Sequence, residues 1–184
     1  MLVTLATRTF TPEPTAAALR LGALARALAA GGDRVRVLTS RLAPSVARDA
    51  ASSAEDSHGP TLREREGGTW GQGAPVETGS GEGSHGLVEV RRAPVLRDKT
   101  GAVRGYVSYL SFDLPLIARL LTGQRPDVVV SEPPPTTGAA VRLACALRCL
   151  PYVYYCADIV SDAAALAGVA RPVVRAVAGL ESFA

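Results

Sequence analysis

Two aspartates near the end of the chain have the type and spacing needed to bind polar groups. Asp158 directly follows an apolar segment, and Asp162 lies four residues later. If a helical turn begins between them, both carboxylates lie on one face and can accept hydrogen bonds from hydroxyl groups. A structural alternative stays open, in which Asp158 ends a strand and Asp162 or Ser161 caps the next helix.

Two further loops contain candidate binding residues. Glu13 either accepts hydrogen bonds from hydroxyl groups or supplies negative charge at the start of the following helix. Arg20 either binds a phosphate or pairs with a surface carboxylate. Glu132 either contacts a ligand or is an exposed acid in a proline-rich loop. The candidate binding residues of these loops and of the helix that follows the first are Phe10, Pro12, Glu13, Pro14, Thr15, Arg20, Ser131 and Glu132.

The elements that would position these residues alternate between strand and helix. Apolar runs predict strands, and apolar residues at helical spacing predict helices. The pattern indicates an α/β fold with a Rossmann-like, doubly wound parallel sheet, in which ligands bind beyond the carboxyl ends of the strands. The predicted strands cover residues 1–6, 34–39, 87–92, 127–131 and 152–156, and the predicted helices cover 15–30, part of 103–122, and 137–149.

The first unit of this pattern limits the cofactor. Thr15 is a predicted N-cap and Gly31 a predicted C′ residue. Residues 7–18 lack the G-x-G-x-x-G pattern that lets a backbone approach a pyrophosphate, which disfavours NAD and FAD. The following strand alternates arginine and valine over 34–37, which suits a position near the edge of the sheet.

The third segment contains a helical stripe formed by Tyr109, Phe112, Leu116 and Leu120, which we interpret as core packing. Pro115 lies within it and predicts a kink or a restart of the helix. The three cysteines, Cys145, Cys149 and Cys156, are an odd count without a nearby histidine. We therefore expect small core residues and no metal site.

Residues 45–86 differ in composition from the rest of the chain. They are rich in Gly, Ser, Ala, Glu and Arg and contain few large apolar residues. Because such a segment buries little apolar surface, we expect a disordered insertion. His58 and His85 both lie in it, which disfavours an ordered catalytic histidine.

Length and composition predict a single globular domain over residues 1–184. The chain is 47% apolar and 20% charged, and arginines interrupt its longest apolar runs, so no membrane span is expected. The amino-terminal segment lacks the basic region of a signal peptide, which favours the cytoplasm.

The formal charge is +3 and the pI is about 9.0. One loose basic cluster lacks the interleaved aromatic residues of a nucleic-acid surface, so no nucleic-acid partner is expected. We interpret the cluster as a solvated face, with contact to an anionic membrane surface or a phosphorylated group as the alternative. Its members are Arg91, Arg92, Arg97, Lys99 and Arg104.

Five sequence motifs occur in an order that resembles a known family. They are F-T-P-E-P-T-A-A-A-L-R-L, G-G-D-R-V-R-V-L-T-S, Y-L-S-F, R-P-D-V-V-V-S-E-P-P and P-Y-V-Y-Y-C-A-D-I-V-S-D. Together they resemble the N-terminal domain of retaining glycosyltransferases of family 4 type. That family has the GT-B architecture, in which two Rossmann-like domains face each other across a cleft. The resemblance implies that this chain is the acceptor-side domain, with residues 170–184 starting the interdomain helix.

The implied activity is retaining transfer of a sugar from a nucleotide-sugar donor to a glycan or lipid-linked acceptor of the cell envelope. The resemblance implies catalytic roles for Asp158 and Asp162, with no metal and no cofactor besides the donor. Val160 and Ser161 replace the family's tryptophan and proline, and Thr15 begins a helix where the family has glycines.

The donor-binding half of the family has no counterpart in this sequence, so activity is expected only with a C-terminal GT-B domain in cis or trans. A noncatalytic acceptor-binding subunit is the main alternative, and an epimerase-like enzyme is a weaker one. Peripheral contact with the inner face of the plasma membrane is compatible with either. If a domain packs on this one, residues 160–177 should present an apolar patch.

Overall fold

The computed structural model describes residues 1–56, 87–98, 106–132, 134–156, 161–162 and 166–184. At its centre is a five-stranded sheet with the order β3-β2-β1-β4-β5, in which every pair of neighbours is parallel. The strands are β1 (Leu2–Ala6), β2 (Arg34–Ser40), β3 (Val88–Ala93), β4 (Val128–Ser131) and β5 (Tyr152–Tyr154). This order confirms the predicted Rossmann-like α/β fold.

Helices cover both faces of the sheet. Those that the structure describes in full are α1 (Ala16–Ala30), α2 (Pro44–Asp56), α3 (Tyr106–Thr122), α4 (Pro135–Arg148) and α5 (Arg171–Phe183). On one face, Leu21 and Ala25 of α1 pack against Val3 and Val35. On the other face, α3 and α4 enclose a second core cluster that includes Phe112, Leu116, Val129, Val141 and Ala144. The sheet is therefore buried on both sides, as its apolar strands require.

The chain reverses its direction across the sheet between β1 and β4. From β1 it proceeds to β2 and β3 on one side, then returns to β4 and β5 on the other. The loops that follow β1 and β4 therefore diverge at one point of the carboxyl edge. This topological switch point is where open α/β sheets bind ligands.

The predicted start of α1 is confirmed, and its end is corrected by one residue. Thr15 is the N-cap, and its hydroxyl accepts a hydrogen bond from the Ala18 amide. Gly31 is the C-cap with φ −76°, while the positive φ of 88° belongs to Gly32. A residue without a β-carbon is needed at Gly32 because its conformation is left-handed.

The structure adds detail to two other predictions about the elements. The expected disordered insertion begins with helix α2, Pro44–Asp56, and the remainder, 57–86, lies outside the described residues together with His58 and His85. Proline suits the first position of a helix, and the alanines that follow favour helix formation. The helix α3 continues through Pro115 without a restart.

Three of the four residues of the predicted helical stripe in α3 are in the core. Phe112, Leu116 and Leu120 are buried, and β2 lies next to the edge strand β3, as predicted. Among the cysteines only Cys145 is in the core, because Cys149 and Cys156 are exposed. Cys149 follows α4 in a left-handed conformation with φ 50°.

Candidate functional site at the switch point

A hydrogen bond joins the two loops that diverge at the switch point. Thr7 directly follows β1, and Glu132 directly follows β4. The Thr7 hydroxyl donates to Glu132 Oε1 over 2.6 Å, and both residues are buried, with 0% and 4% of their surface exposed. The Thr7 amide also donates to the Leu38 carbonyl, which extends the β-ladder beyond β1. The ends of the two neighbouring strands β1 and β4 thus set the position of Glu132.

Arginine and a second carboxyl group lie beside this pair. The Arg8 guanidinium stacks 3.8 Å from the ring centre of Tyr109. Asp113, one turn further along α3, is buried, and its Oδ1 accepts a 2.6 Å hydrogen bond from the Thr137 hydroxyl at the start of α4. We call the group formed by Thr7, Arg8, Asp113, Glu132 and Thr137 the switch-point cluster.

A second polar group holds the loop that leads into α1. Glu13 is 6% exposed, and its Oε1 accepts a 3.3 Å hydrogen bond from Arg97 Nη2. The same nitrogen donates to the Ser40 hydroxyl, 3.1 Å away at the end of β2, and to the Arg41 carbonyl. The Ser40 hydroxyl in turn donates to the Arg8 carbonyl over 2.7 Å.

The Arg92 side chain holds the same loop by binding a backbone carbonyl group. Its Nη2 donates to the Thr11 carbonyl over 2.6 Å, and its Nη1 donates to the Ser40 carbonyl. We call Glu13, Ser40, Arg92 and Arg97 the Glu13 network. The basic cluster was expected to be a solvated face. This expectation was wrong for Arg92 and Arg97, because both side chains bind the loop between β1 and α1. Lys99 and Arg104 lie outside the described residues.

Burial controls the protonation of the carboxyl groups. Burial raises the pKa of Glu132, against the Thr7 hydrogen bond and the positive charges of Arg20 and Arg8. Burial likewise raises the pKa of Glu13 and of Asp113, while Arg97 opposes the first shift and Thr137 opposes the second. In each case desolvation of the charged form outweighs the favourable partners. Such groups can exchange a proton or accept hydrogen bonds from a polar ligand.

One carboxyl oxygen of the Glu13 network has no hydrogen-bond partner among the described residues. Glu13 Oε2 is fully enclosed, whereas Oε1 is bound by Arg97. A buried acceptor without a partner costs free energy, so such a group is commonly held for a ligand or a catalytic role.

The structure places the other predicted binding residues in different surroundings. Phe10 is 4% exposed and packs in the core under α1, so its ring supports the loop from beneath. Pro12 and Pro14 are exposed on that loop, and Thr15 caps α1. Ser131 is buried at the end of β4, where its carbonyl accepts from the Tyr155 amide. Arg20 is exposed on α1 and close enough to Glu132 to favour its ionised form.

The predicted pair Asp158 and Asp162 is not joined to these groups in the described residues. Asp158 lies outside the part of the chain that the structure describes. Asp162 is exposed, and no described hydrogen bond connects it with either polar group. Its neighbour Ser161 is buried, and the Ser161 amide donates to the carboxylate of Glu181 on α5.

Sequence reasoning missed Arg8, Asp113 and Thr137. A usable indication existed for Asp113, because it lies at helical spacing between Tyr109 and Leu116 within an apolar stripe. An acid on the buried face of a helix requires a partner, and Thr137 supplies one. Arg8 also had a positional indication, since it comes two residues after the central strand.

Fold and site together define an α/β protein with a Rossmann-like parallel sheet and a buried polar cluster at its switch point. Among the described residues, no three His, Cys, Asp or Glu side chains are arranged to hold a metal ion. None of the described helices has the length and apolar character needed to cross a membrane. Comparison with known protein families gave no match, and no curated protein matched the chain.

Proposed function

We propose that this chain is the acceptor-side domain of a retaining glycosyltransferase of family 4 type. The enzyme would transfer a sugar from a nucleotide-sugar donor to a glycan or lipid-linked acceptor of the cell envelope. The observation that carries the proposal is the pair of buried carboxyl groups, Glu13 and Glu132, on the two loops that meet at the switch point. The five motifs of the sequence supply the class of chemistry.

Carboxylates at this edge suit a ligand rich in hydroxyl groups. Glu13 Oε2 is an acceptor without a described partner, and the described bond from Thr7 to Glu132 uses Oε1 alone. A sugar hydroxyl that entered the site would donate to such a carboxylate oxygen, and carboxylates form stronger hydrogen bonds than neutral acceptors do. Because both groups are buried, a ligand that reached them would be oriented in a medium of low dielectric constant.

Positive charge near these carboxyl groups suits a nucleoside diphosphate leaving group. Arg8 lies in the switch-point cluster, and the first turn of α1 begins at the same edge of the sheet. Fixed positive charge and helix amino termini stabilise the negative charge that develops as a diphosphate departs. In this proposal Arg8 and Arg20 contribute that charge, and Glu13 and Glu132 orient the acceptor.

A second domain in cis or trans would supply the remaining donor contacts. Described residues in the segment expected to carry an apolar patch include Leu166, Val169 and Val173, which are 91%, 39% and 41% exposed. Exposed apolar side chains along one segment favour a covering partner. In this proposal the enzyme works in the cytoplasm, at the inner face of the plasma membrane.

The same exposed residues also favour the alternative, a noncatalytic acceptor-binding subunit that depends on a separate donor-binding chain. The two candidates differ in one measurable respect. The enzyme releases nucleoside diphosphate from a sugar donor in an acceptor-dependent reaction, whereas the subunit binds acceptor without turnover.

The test uses protein purified from its native source, so that a donor-binding domain is retained whether it is covalently joined or separate. UDP-, GDP- and ADP-sugars are supplied with the lipid fraction of the same cells, and NMR reads the anomeric configuration of the product. Transfer with retention supports the proposal. Transfer with inversion, or no transfer with any donor, would overturn it.

A matched pair of variants connects that activity with the proposed site. Glu13→Gln keeps the shape of the side chain and removes the negative charge, and Asp49→Asn makes the same change at an exposed position of α2. We expect the Gln variant to lower kcat/KM at least about tenfold, as loss of a charge-assisted hydrogen bond predicts. If Glu13→Gln retains full activity, the Glu13 network does not bind the substrate.

A further inference from the structure

A cleft of about 310 Å³ lies between the sheet and the C-terminal half of α3. Tyr109 and Asp113, in the N-terminal half of that helix, lie at the switch-point cluster. The cleft is therefore separate from the cluster, although both lie on the same face of the sheet. Its volume falls at the lower end of the range for small-molecule sites. It is lined by Thr4, Arg36, Leu38, Arg91, Pro115, Ala118, Arg119, Leu120, Thr122, Gly123, Gln124 and Pro126.

Strand register explains why the cleft is polar. Thr4 of β1 is in register with Arg36 of β2 on one side and with Val129 of β4 on the other, and Arg36 is in register with Glu89 of β3. This row therefore changes from apolar to charged across the sheet. The helices α3 and α4 pack on its apolar half, around Val129. Thr4 and Arg36 of this row line the cleft.

Two of the arginines share one carboxylate. Arg36 Nε donates to Glu89 Oε2 over 3.0 Å, and Arg91 Nε donates to Glu89 Oε1 over 2.6 Å. The Arg36 side chain is 8% exposed, and its Nη2 donates to the Gln124 side-chain oxygen over 2.7 Å. Each guanidinium is thereby fixed in one orientation while the pair keeps an excess of positive charge. The Arg91 side chain is 31% exposed, so one buried and one half-buried arginine of fixed orientation face the cleft, an arrangement suited to binding a phosphate or carboxylate.

Arg119 adds a third guanidinium from the helix side. Burial, and next the positive charge of Arg91, lowers the pKa of Arg119. The two side chains are therefore close enough to repel each other, and an anion between them would relieve that repulsion. The described lining of the cleft contains three arginines, and Glu89, which pairs with Arg36 and Arg91, is not part of that lining.

The remaining walls are apolar. Leu38, Leu120 and Pro115 line the cleft beside the arginines. A ligand that satisfies both surfaces carries a compact anionic group and a small apolar part. Phosphate matches the three-arginine side better than a single carboxylate does, because it presents more acceptor oxygens and up to two negative charges.

We infer that this cleft binds a small organic phosphomonoester, with Arg36, Arg91 and Arg119 around the phosphate and the Leu38 side against the organic part. The inference is independent of sugar transfer, since it uses no residue of the switch-point cluster or the Glu13 network.

Phenyl phosphate is the probe for the test, because it combines a phosphomonoester with one apolar ring. Isothermal titration calorimetry of the full chain compares it with inorganic phosphate and with benzoate at constant ionic strength. We expect phenyl phosphate to bind more tightly than either. In NMR titrations, the Gly123 and Gln124 amides should shift with the probe.

Variants of Arg119 test the assignment without disturbing the Arg36–Glu89–Arg91 group. We expect Arg119→Gln to weaken phenyl phosphate binding about tenfold, as loss of one charge-assisted hydrogen bond predicts. Arg119→Lys should lose less, because it keeps the charge but not the planar fork. Arg26→Gln, an equivalent change at an exposed position of α1, should bind as the unmodified chain does.

Three results would overturn the inference. The first is no detectable binding of phenyl phosphate at millimolar concentration. The second is an equal loss of affinity in Arg119→Gln and Arg26→Gln. The third is inorganic phosphate or benzoate binding as tightly as phenyl phosphate, which would remove the assignment to organic phosphomonoesters.

Discussion

The Thr7 hydroxyl and the Glu132 carboxylate form a 2.6 Å hydrogen bond across the switch point of the sheet. The two residues are 125 positions apart in the chain and come into contact because β1 and β4 are neighbours in parallel register. Each strand ends immediately before the residue that makes the bond. The central pairing of the fold is therefore also what sets the geometry of the candidate site.

Removal of the Thr7 hydroxyl should shift the titration of Glu132. Thr7→Val has nearly the same shape but cannot donate, so the ionised form of Glu132 loses a stabilising partner and its pKa rises further above the ordinary value. We expect a loss of about 1–2 kcal/mol in the free energy of unfolding at neutral pH. Carbon-13 NMR of the Glu132 carboxyl measures the titration. Thr122→Val, on the exposed end of α3, is the control, and an unchanged Glu132 pKa in Thr7→Val would contradict the prediction.

Asp113 should make the protein less stable as the pH rises. Burial raises the pKa of Asp113 above its ordinary value of 3.8, so the folded state binds the proton more tightly than the unfolded state. Its contribution to stability is complete below pH 3.8 and is lost as the pH rises through the folded-state pKa. Asp113→Asn mimics the protonated form, so its free energy of unfolding should fall less steeply between pH 4 and 7. Urea denaturation at several pH values checks this.

A matched control separates Asp113 from the other carboxyl groups. Asp162→Asn removes an exposed carboxyl group, and its stability should follow the pH dependence of the unmodified protein. Identical slopes for the Asp113→Asn variant and the unmodified chain would show that Asp113 ionises in the folded state as it does in the unfolded state.

Local patterns were sufficient to predict the elements and the loops of the site. Alternating apolar runs gave the strands and helices, and the rule for parallel sheets pointed to the loops that contain Glu13 and Glu132. The contacts of these residues were beyond sequence reasoning. Glu13 and Arg97 are 84 positions apart, and nothing in the local sequence distinguishes Arg97 from a solvated arginine. Composition was also a poor guide to α2, where proline and alanine in helix-forming positions outweighed the polar character of the segment.

Arg97 should be worth more to stability than a surface arginine. Its side chain is 15% exposed and its partner Glu13 is 7% exposed, so Arg97→Gln removes the cation that hydrogen-bonds to a buried carboxylate and leaves Arg92 as the other described positive charge near it. We expect a loss of about 3 kcal/mol in the free energy of unfolding, the usual cost of breaking a buried pair. Arg41→Gln, at an exposed arginine near the same loop, should cost less than about 0.5 kcal/mol.

A double-mutant cycle tests whether that cost comes from Glu13. The double variant Glu13→Gln, Arg97→Gln contains no unpaired carboxylate, so it should be more stable than the sum of the two single effects predicts. Urea denaturation of all four proteins gives the coupling energy. Strict additivity would assign the effect of Arg97 to its bonds with Ser40 and the Arg41 carbonyl instead.

The loop between β1 and α1 lies close to α1 itself, and this close approach depends on Gly22. A β-carbon at this position would lie 2.8 Å from Cγ2 of Thr11, closer than real β-carbons come to another atom. Gly22→Ala should therefore displace the loop and destabilise the protein, even though alanine gains about 1 kcal/mol over glycine within a helix. Thr11→Ser removes the obstructing methyl group, so the double variant should regain the lost stability and exceed the unmodified chain. Thermal unfolding of the four proteins measures this, and a double variant as unstable as Gly22→Ala would show that the contact with Thr11 is not the cause.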